Sequence, residues 1–205
     1  MIERLLIGTG NAGKQREYRE LLAGLDLELV VPTDLVPVPP DPEENGATFA
    51  ENASHKARAY AAASGLRTVA DDSGLEVDAL RSAPGLRSRR FFGDDATAPE
   101  RNEKLLALLD GVEQRGARFV CVTALASPDG RVELFDAEVH GEIGLAPRGE
   151  QGFGYDPLFV IAGDGRTMAE LPPDEKHRIS HRGLAVAKLR MHLRGEPRRE
   201  RTRQR

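Results

Sequence analysis

Seven residues near the start, Gly8-Thr9-Gly10-Asn11-Ala12-Gly13-Lys14, have the types and spacing that cradle a phosphate. A glycine-rich turn between a strand and a helix lets backbone N–H groups approach an anion at the positive end of the helix. Lys14 adds a full charge beside them. The run fits G-x-G-x-x-G, the dinucleotide fingerprint, and Asp34 follows about 20 residues past the last glycine. It also fits G-x-x-x-x-G-K, although Gln15 stands where a P-loop needs Ser or Thr for Mg2+. Every reading agrees on an anion loop and leaves its ligand open.

The carboxylates Asp71 and Asp72, followed by Ser73-Gly74, are expected at the carboxyl end of a short strand, Thr68-Val69-Ala70, where α/β sheets gather functional groups. Adjacent aspartates repel, and a cation relieves that cost. Oxygen ligands without thiols or a histidine cluster favour Mg2+ over zinc. Glu43 and Glu44, in a loop just ahead of a helix, could add a ligand, and Lys56 on that helix could reach phosphate oxygens. Alone, an Asp-Asp pair reads equally as a solvated turn; beside a phosphate loop the metal reading prevails.

The run Gly152-Phe153-Gly154-Tyr155-Asp156-Pro157 sets two aromatics among glycines, suited to stacking on a base or to filling a core. Lys176-His177-Arg178-Ile179-Ser180-His181-Arg182 crowds five basic side chains around a helix start. Cations there oppose the helix dipole, so the placement requires an anion or a carbonyl-rich ligand nearby. The flanking cations disfavour a metal on His177 and His181.

These groups need elements to position them. Leu5-Leu6-Ile7 reads as a buried strand, followed by a helix with Tyr18, Leu21, Leu22 and Leu25 on one stripe and a second strand over 27–31. Thr48 and Glu51 have the capping-box spacing, opening a helix whose buried side is Phe49, Ala53, Ala57 and Tyr60, with Asn52 and Lys56 on a neighbouring side. Thr97 and Glu100 open another helix. A long apolar strand over 118–125, the turn Ser127-Pro128-Asp129-Gly130 and a return strand over 132–139 make a hairpin. A strand over 158–161 and a last helix announced by Ser180, carrying Leu184, Ala187 and Met191, complete the pattern. Strand–helix alternation followed by a hairpin predicts an α/β fold with a mixed sheet.

Composition narrows the class. With 205 residues, 40% hydrophobic and 30% charged, the chain can bury a core, and no apolar run approaches the roughly 20 residues of a membrane span. The opening turns glycine-rich after one short apolar patch, unlike a signal peptide. Cys121, the lone cysteine, lies in an apolar run and reads as a packed thiol. A cytoplasmic protein is expected. The net charge of −4 divides into +4 over residues 194–205 and −8 elsewhere, which makes nucleic acid an unfavourable partner and 195–205 a basic, disordered tail.

Taken together, the motifs resemble the inosine triphosphate pyrophosphatase family, also called dITP/XTP or non-standard purine pyrophosphatases. The matching stretches are residues 9–14, 43–57, 70–80, 83–85, 152–159 and 180–183, in the family's order across nearly the whole chain. The resemblance implies an elongated mixed sheet flanked by helices, two lobes about a central cleft within one domain over 1–194, Mg2+ dependence and a homodimer. It further implies hydrolysis of ITP, dITP and XTP to the monophosphate and pyrophosphate. By the same carry-over, Thr9, Gly10, Asn11, Ala12, Gly13 and Lys14 would hold the triphosphate, Glu44 and Asp72 the metal, and Ser73 the substrate. Asp72 would be the general base, grouped with Asp71, Lys14 and Lys56 in the catalytic set. Phe153, Gly154, Tyr155, Asp156, Lys176, His181 and Arg182 would line the nucleobase pocket. The segment 86–91 is more basic than the family's tyrosine- and alanine-bearing one. A Maf-like nucleotide pyrophosphatase lacks matches to SHRG and GFGYDP, and a Rossmann oxidoreductase leaves Lys14 and Asp71-Asp72 idle.

Overall fold

Alternating strands and helices open the chain: β1 (Glu3–Ile7), α1 (Ala12–Leu21), β2 (Leu27–Val30), α2 (Phe49–Ser64) and β3 (Arg67–Val77). They are followed by α3 (Ala98–Leu108), the hairpin β4 (Gly116–Ala126) and β5 (Val132–Ile143), β6 (Phe159–Ile161), α4 (Pro173–Ile179) and α5 (His181–Gly195). The computed structural model describes residues 2–195, so the basic tail expected over 195–205 lies, but for its first residue, outside them.

The strands form one sheet in the order β2-β1-β3-β4-β5-β6, parallel from β2 to β3 and antiparallel from β3 to β6. This is the expected mixed sheet. Its core divides into two main parts. Leu5, Ile7, Tyr18, Leu22, Val186 and Leu189 pack at the parallel end, and Leu75, Leu105, Leu109, Phe119, Leu158 and Phe159 at the antiparallel end.

β3 differs from its expectation in a way that matters for the site. It does not stop at Ala70; it continues to Val77, because residues 68–77 pair along the whole apolar ladder of β4. β1 pairs with β3 only as far as Val69, and the Gly8 N–H donates the last bond, 2.7 Å, to the Val69 carbonyl. From Ala70 onward one edge of β3 is therefore free of β1. Asp71 and Asp72 lie within β3, just beyond the carboxyl end of β1.

α2 brings its polar face close to that edge. Ala53, Ala57 and Ala61 pack on Ala70, Ala124 and Ala126, so only methyl groups separate helix from sheet. The helix starts as expected at Thr48, whose hydroxyl accepts from Glu51 N at 3.1 Å, but the Glu51 carboxylate reaches Ala47 N at 2.7 Å rather than closing the box on Thr48. Thr97 and Glu100 do form the reciprocal box ahead of α3.

α5 is rotated from expectation. Ala185, Val186 and Leu189 are buried, whereas Leu184 and Met191 are 38% and 67% exposed. The cause is Arg182, a charged residue held inward by two acids, which sets the helix phase at 182, 185, 186 and 189. α4 was not anticipated. It places Lys176, His177 and Arg178 in its own last turn, where cations suit the dipole, and Ser180 ends it and starts α5 through a 3.1 Å bond from Gly183 N to its Oγ.

Candidate active site

The glycine-rich loop before α1 is braced by its own side chains. Asn11 caps α1, accepting from Lys14 N at 3.0 Å, and Thr9 Oγ1 accepts from Asn11 N at 3.2 Å. Gln15, which breaks the P-loop pattern, donates to the Thr9 carbonyl at 2.7 Å. The N–H groups of Ala12 and Gly13 belong to the first turn of α1 and have no intrahelical partners, and Gly10 is exposed beside them. Gly13 has a steric reason as well: a Cβ there would sit 3.0 Å from Phe153 Cδ1.

Two lysines converge on the free edge of β3. Lys14 Nζ and Lys56 Nζ lie 3.4 and 3.3 Å from the same Asp71 carbonyl oxygen, one arriving from α1 and the other from α2. They occupy the notch where a β1 partner would have continued. Lys56 also pairs with Glu44, and Arg90 Nη2 lies 3.7 Å from the same carboxylate. Burial alone would lower the Lys56 pKa, but Glu44 and Asp71 raise it, so the ammonium stays charged.

Asp71 and Asp72 are not a side-by-side pair, because consecutive strand residues point to opposite faces. Asp71 meets Arg182 at 2.9 Å and Lys14 at 3.1 Å, and these cations outweigh its complete burial and hold it well below the usual carboxylate range. Asp72 points toward α2. It accepts from Asn52 Nδ2 and from Ser73 N, both at 2.9 Å. Burial first, and Glu44 after Lys14's opposing effect, raise its pKa. Asn52 in turn accepts from Gly46 N at 2.7 Å, tying the loop that carries Glu44 to the strand that carries Asp72. A Cβ on Gly46 would meet Asn52 Oδ1 at 2.7 Å. Gly46→Ala should therefore displace the loop that carries Glu44 and break its ion pair with Lys56 while the melting temperature moves little. A crystal structure of the variant, with a thermal melt beside the wild type, checks it.

Behind the notch runs a chain of alternating charges. Lys14, Asp71, Arg182, Glu17, Lys176 and Asp156 are linked in sequence at 3.1, 2.9, 2.6, 2.6 and 2.8 Å. It supplies the anions that the cations around residue 180 require. Glu17 is the link that the sequence reading missed. Burial would raise its pKa, but Arg182 and Lys176 hold it down to about 2. A depressed carboxylate stabilises the fold fully above its unfolded value and loses that contribution as pH falls through the folded one. Glu17→Gln should therefore flatten the decline in stability between about pH 4.5 and 2, at the cost of lower stability at neutral pH, checked by denaturant melts across that range.

Phe153 lies over this chain, its ring centroid 5.2 Å from Lys176 Nζ and 5.6 Å from Arg182 Cζ. Asp156 is fully committed to the loop, accepting from Phe153 N and Lys176 Nζ, both at 2.8 Å. His181 is buried and stacked on Phe119 at 4.7 Å. Burial and then Arg182 push its pKa down to about 3, so it is neutral at pH 7, and its Nδ1 has no partner among the described residues. His177 pairs with Glu20 at 2.7 Å.

Most of the expected site residues thus converge: Thr9 to Lys14 at the loop, Glu44, Lys56, Asp71 and Asp72 at the notch, and Ser73 through its 3.0 Å contact with Arg182. Phe153, Asp156, Lys176, His181 and Arg182 join them. Tyr155 does not: it packs in the antiparallel core and its hydroxyl donates to the Ser88 carbonyl at 2.9 Å. The Gly154 carbonyl turns toward α3, accepting from Asn102 at 3.2 Å. Of the two aromatics in that loop, one fills a core and one faces the loop at Gly13.

A strand edge left open beside a glycine-rich loop, with lysines aimed into it, places the chain among α/β proteins that gather polar groups at the ends of their parallel strands. More narrowly, it belongs to the Ham1 family, whose model matches residues 5–192. It is 50% identical over 185 residues to a dITP/XTP pyrophosphatase of Syntrophobacter fumaroxidans, covering 90% of this chain and 79% of the relative. A dITP/XTP pyrophosphatase of Deinococcus deserti is 52% identical over 186 residues, 91% and 87% of the two chains. A HAM1 protein from Coxiella burnetii superposes with a TM-score of 0.85 at 42% identity, over 96% of this chain and 100% of the other. A nucleoside-triphosphatase and dITP/XTP pyrophosphatase from Mycobacterium abscessus gives 0.68 at 43% identity, over 91% and 98%. The family resemblance drawn from the motifs is borne out.

Proposed function

We propose that the protein hydrolyses deaminated purine nucleoside triphosphates, ITP, dITP and XTP, to the monophosphate and pyrophosphate. The observation that carries this reading is the meeting of Lys14 and Lys56 on one carbonyl at the open strand edge, beside buried Asp72. The curated relatives are named for that activity.

Glu44 and Asp72 suit a hard cation. They offer only oxygen, the donor a hard cation prefers, and Asn52 ties the loop that carries one to the strand that carries the other. Among the described residues no group of three or more His, Cys, Asp or Glu is set for a metal, so substrate and water would complete the shell, the habit of Mg2+. Mg2+ held there would neutralise phosphate charge and favour ionisation of a water. Asp72, with its raised pKa, accepts the proton of the water attacking the α-phosphorus. Lys14 and Lys56 offset charge on the departing pyrophosphate, and the loop N–H groups orient the chain of phosphates. Asp71 and Arg182 hold Lys14 and the strand in place.

Base selection follows from donor and acceptor complementarity. Hypoxanthine and xanthine present an acceptor at C6, where adenine presents an amino donor. Phe153 offers a face for stacking, and the neutral ring of His181 carries a single N–H, whereas Lys176 and Arg182 are occupied by acids. A site built on a hydrogen bond rejects the mismatched group strongly.

Residues 1–194 act as one two-lobed unit in this reading, and the protein is cytoplasmic and dimeric. No helix among the described residues is long and apolar enough to cross a membrane, and exposed Leu145 and Met191 give apolar surface for a second copy. Sedimentation at twice 22.4 kDa tests the dimer.

The activity test is product analysis with ITP, XTP, GTP and ATP. Monophosphate and pyrophosphate from ITP and XTP, little turnover of ATP, and loss of activity on chelation restored by Mg2+ are expected. Orthophosphate as the product, or equal rates on all four bases, overturns the reading.

A further inference from the structure

Three side chains spaced a turn apart on α2, Asn52, Lys56 and Tyr60, each bond to the proline-rich segment that precedes the helix. Asn52 Oδ1 accepts from Gly46 N at 2.7 Å, Lys56 pairs with Glu44, and the Tyr60 hydroxyl donates to Asp41 Oδ1 at 2.9 Å. Helix spacing puts i, i+4 and i+8 on one stripe, so residues 41–46 are laced along it as a strap, running antiparallel to the helix. Glu44 lies between the two end ties.

The tie at Tyr60 also bears on the glycine-rich loop. The Tyr60 ring is buried against Gly8, where a Cβ would come within 2.8 Å of its Cδ2. Asp41 Oδ2 lies beside Gly10, 3.3 Å from the place a Cβ would take. The first two glycines of the G-x-G spacing therefore make room for this pair. Pro39, Pro40 and Pro42 flank Asp41, and their fixed φ passes the anchorage along a stiff backbone toward Glu44. The proposed hydrolysis gives a role to neither Tyr60 nor Asp41.

We propose that Tyr60 is a positioning residue: its hydroxyl, through Asp41, fixes the strap so that Glu44 stands at the notch before the substrate binds. This rests on the hydrolysis reading above. With the tie cut, only part of the population holds Glu44 in place, and binding draws on that part alone. Apparent affinity then falls, while turnover at saturation is kept.

Tyr60→Phe keeps the ring against Gly8 and removes only the donor. Hydrogen exchange should find the Gly46 and Ala47 amides, protected by bonds to Asn52 and Glu51, exchanging about tenfold faster, with β3 unchanged. KM for ITP should rise about tenfold, with kcat within about twofold of the wild type. Asp41→Ala, at an exposed position where the fold is not at stake, should reproduce both changes. Asp41→Asn, whose amide oxygen still accepts from the hydroxyl, should match the wild type in both. Unmoved KM or unmoved exchange in Tyr60→Phe overturns the proposal, whatever the melting temperature does. So does an Asp41→Asn variant as damaged as Asp41→Ala, which would assign the effect to charge. Orthophosphate release by the wild type would contradict the hydrolysis reading and leave the exchange comparison unaltered.

Discussion

Asp72→Asn should lower kcat on ITP by roughly 10^2–10^4-fold, the usual contribution of a positioned general base. The amide keeps the size of the carboxylate, and its oxygen can still accept from Ser73 N, so the backbone of β3 has no reason to move. What changes is the capacity to take a proton and to hold a cation with Glu44. One local conflict arises: the new amide faces Asn52 Nδ2, donor against donor, and rotating Asn52 would forfeit its bond from Gly46 N. That loss is about 1 kcal/mol, small enough to keep the protein folded. A variant that retains wild-type kcat would remove Asp72 from the mechanism.

Arg182→Met should destabilise the fold by about 3–5 kcal/mol, because it leaves two buried carboxylates, Asp71 and Glu17, without the cation between them. For a chain of this length that is a fall in melting temperature of roughly 6–20 °C. Lysine is a poor rescue: the guanidinium contacts Glu17, Asp71 and Ser73 through two nitrogens, a fork that a single ammonium cannot reproduce. Adding Glu17→Gln to Arg182→Met should recover part of the stability, since one of the stranded charges is then gone. Additive losses in the double variant would mean that the two side chains do not act as a unit. Thermal melts of the three variants decide between these outcomes.

What was legible in the sequence was local. The anion loop announces itself because seven consecutive residues carry it, and Asn52 with Lys56 could be placed on one side of a helix by spacing alone. The charge chain could not be read that way, since its bonds join residues 111, 159 and 165 apart in sequence. Glu17 looked like any solvated helix residue; its one signal was its position beside Tyr18 on the buried stripe of α1. The length of β3 was hidden because Asp71, Asp72 and Gly74 imitate a strand end, and only the pairing with β4 overrules them. The phase of α5 was misjudged for a related reason. Periodicity counts apolar residues as inward and charged ones as outward, and Arg182 inverts the rule by bringing its counter-ions with it.

Isotopic labelling most directly tests whether this cleft directs water to the α-phosphorus. With ITP hydrolysed in oxygen-18 water, mass spectrometry should find one labelled oxygen in the inosine monophosphate and none in the pyrophosphate. Label in the pyrophosphate would place the attack on the β-phosphorus, and with it contradict the roles given to Asp72, Lys14 and Lys56.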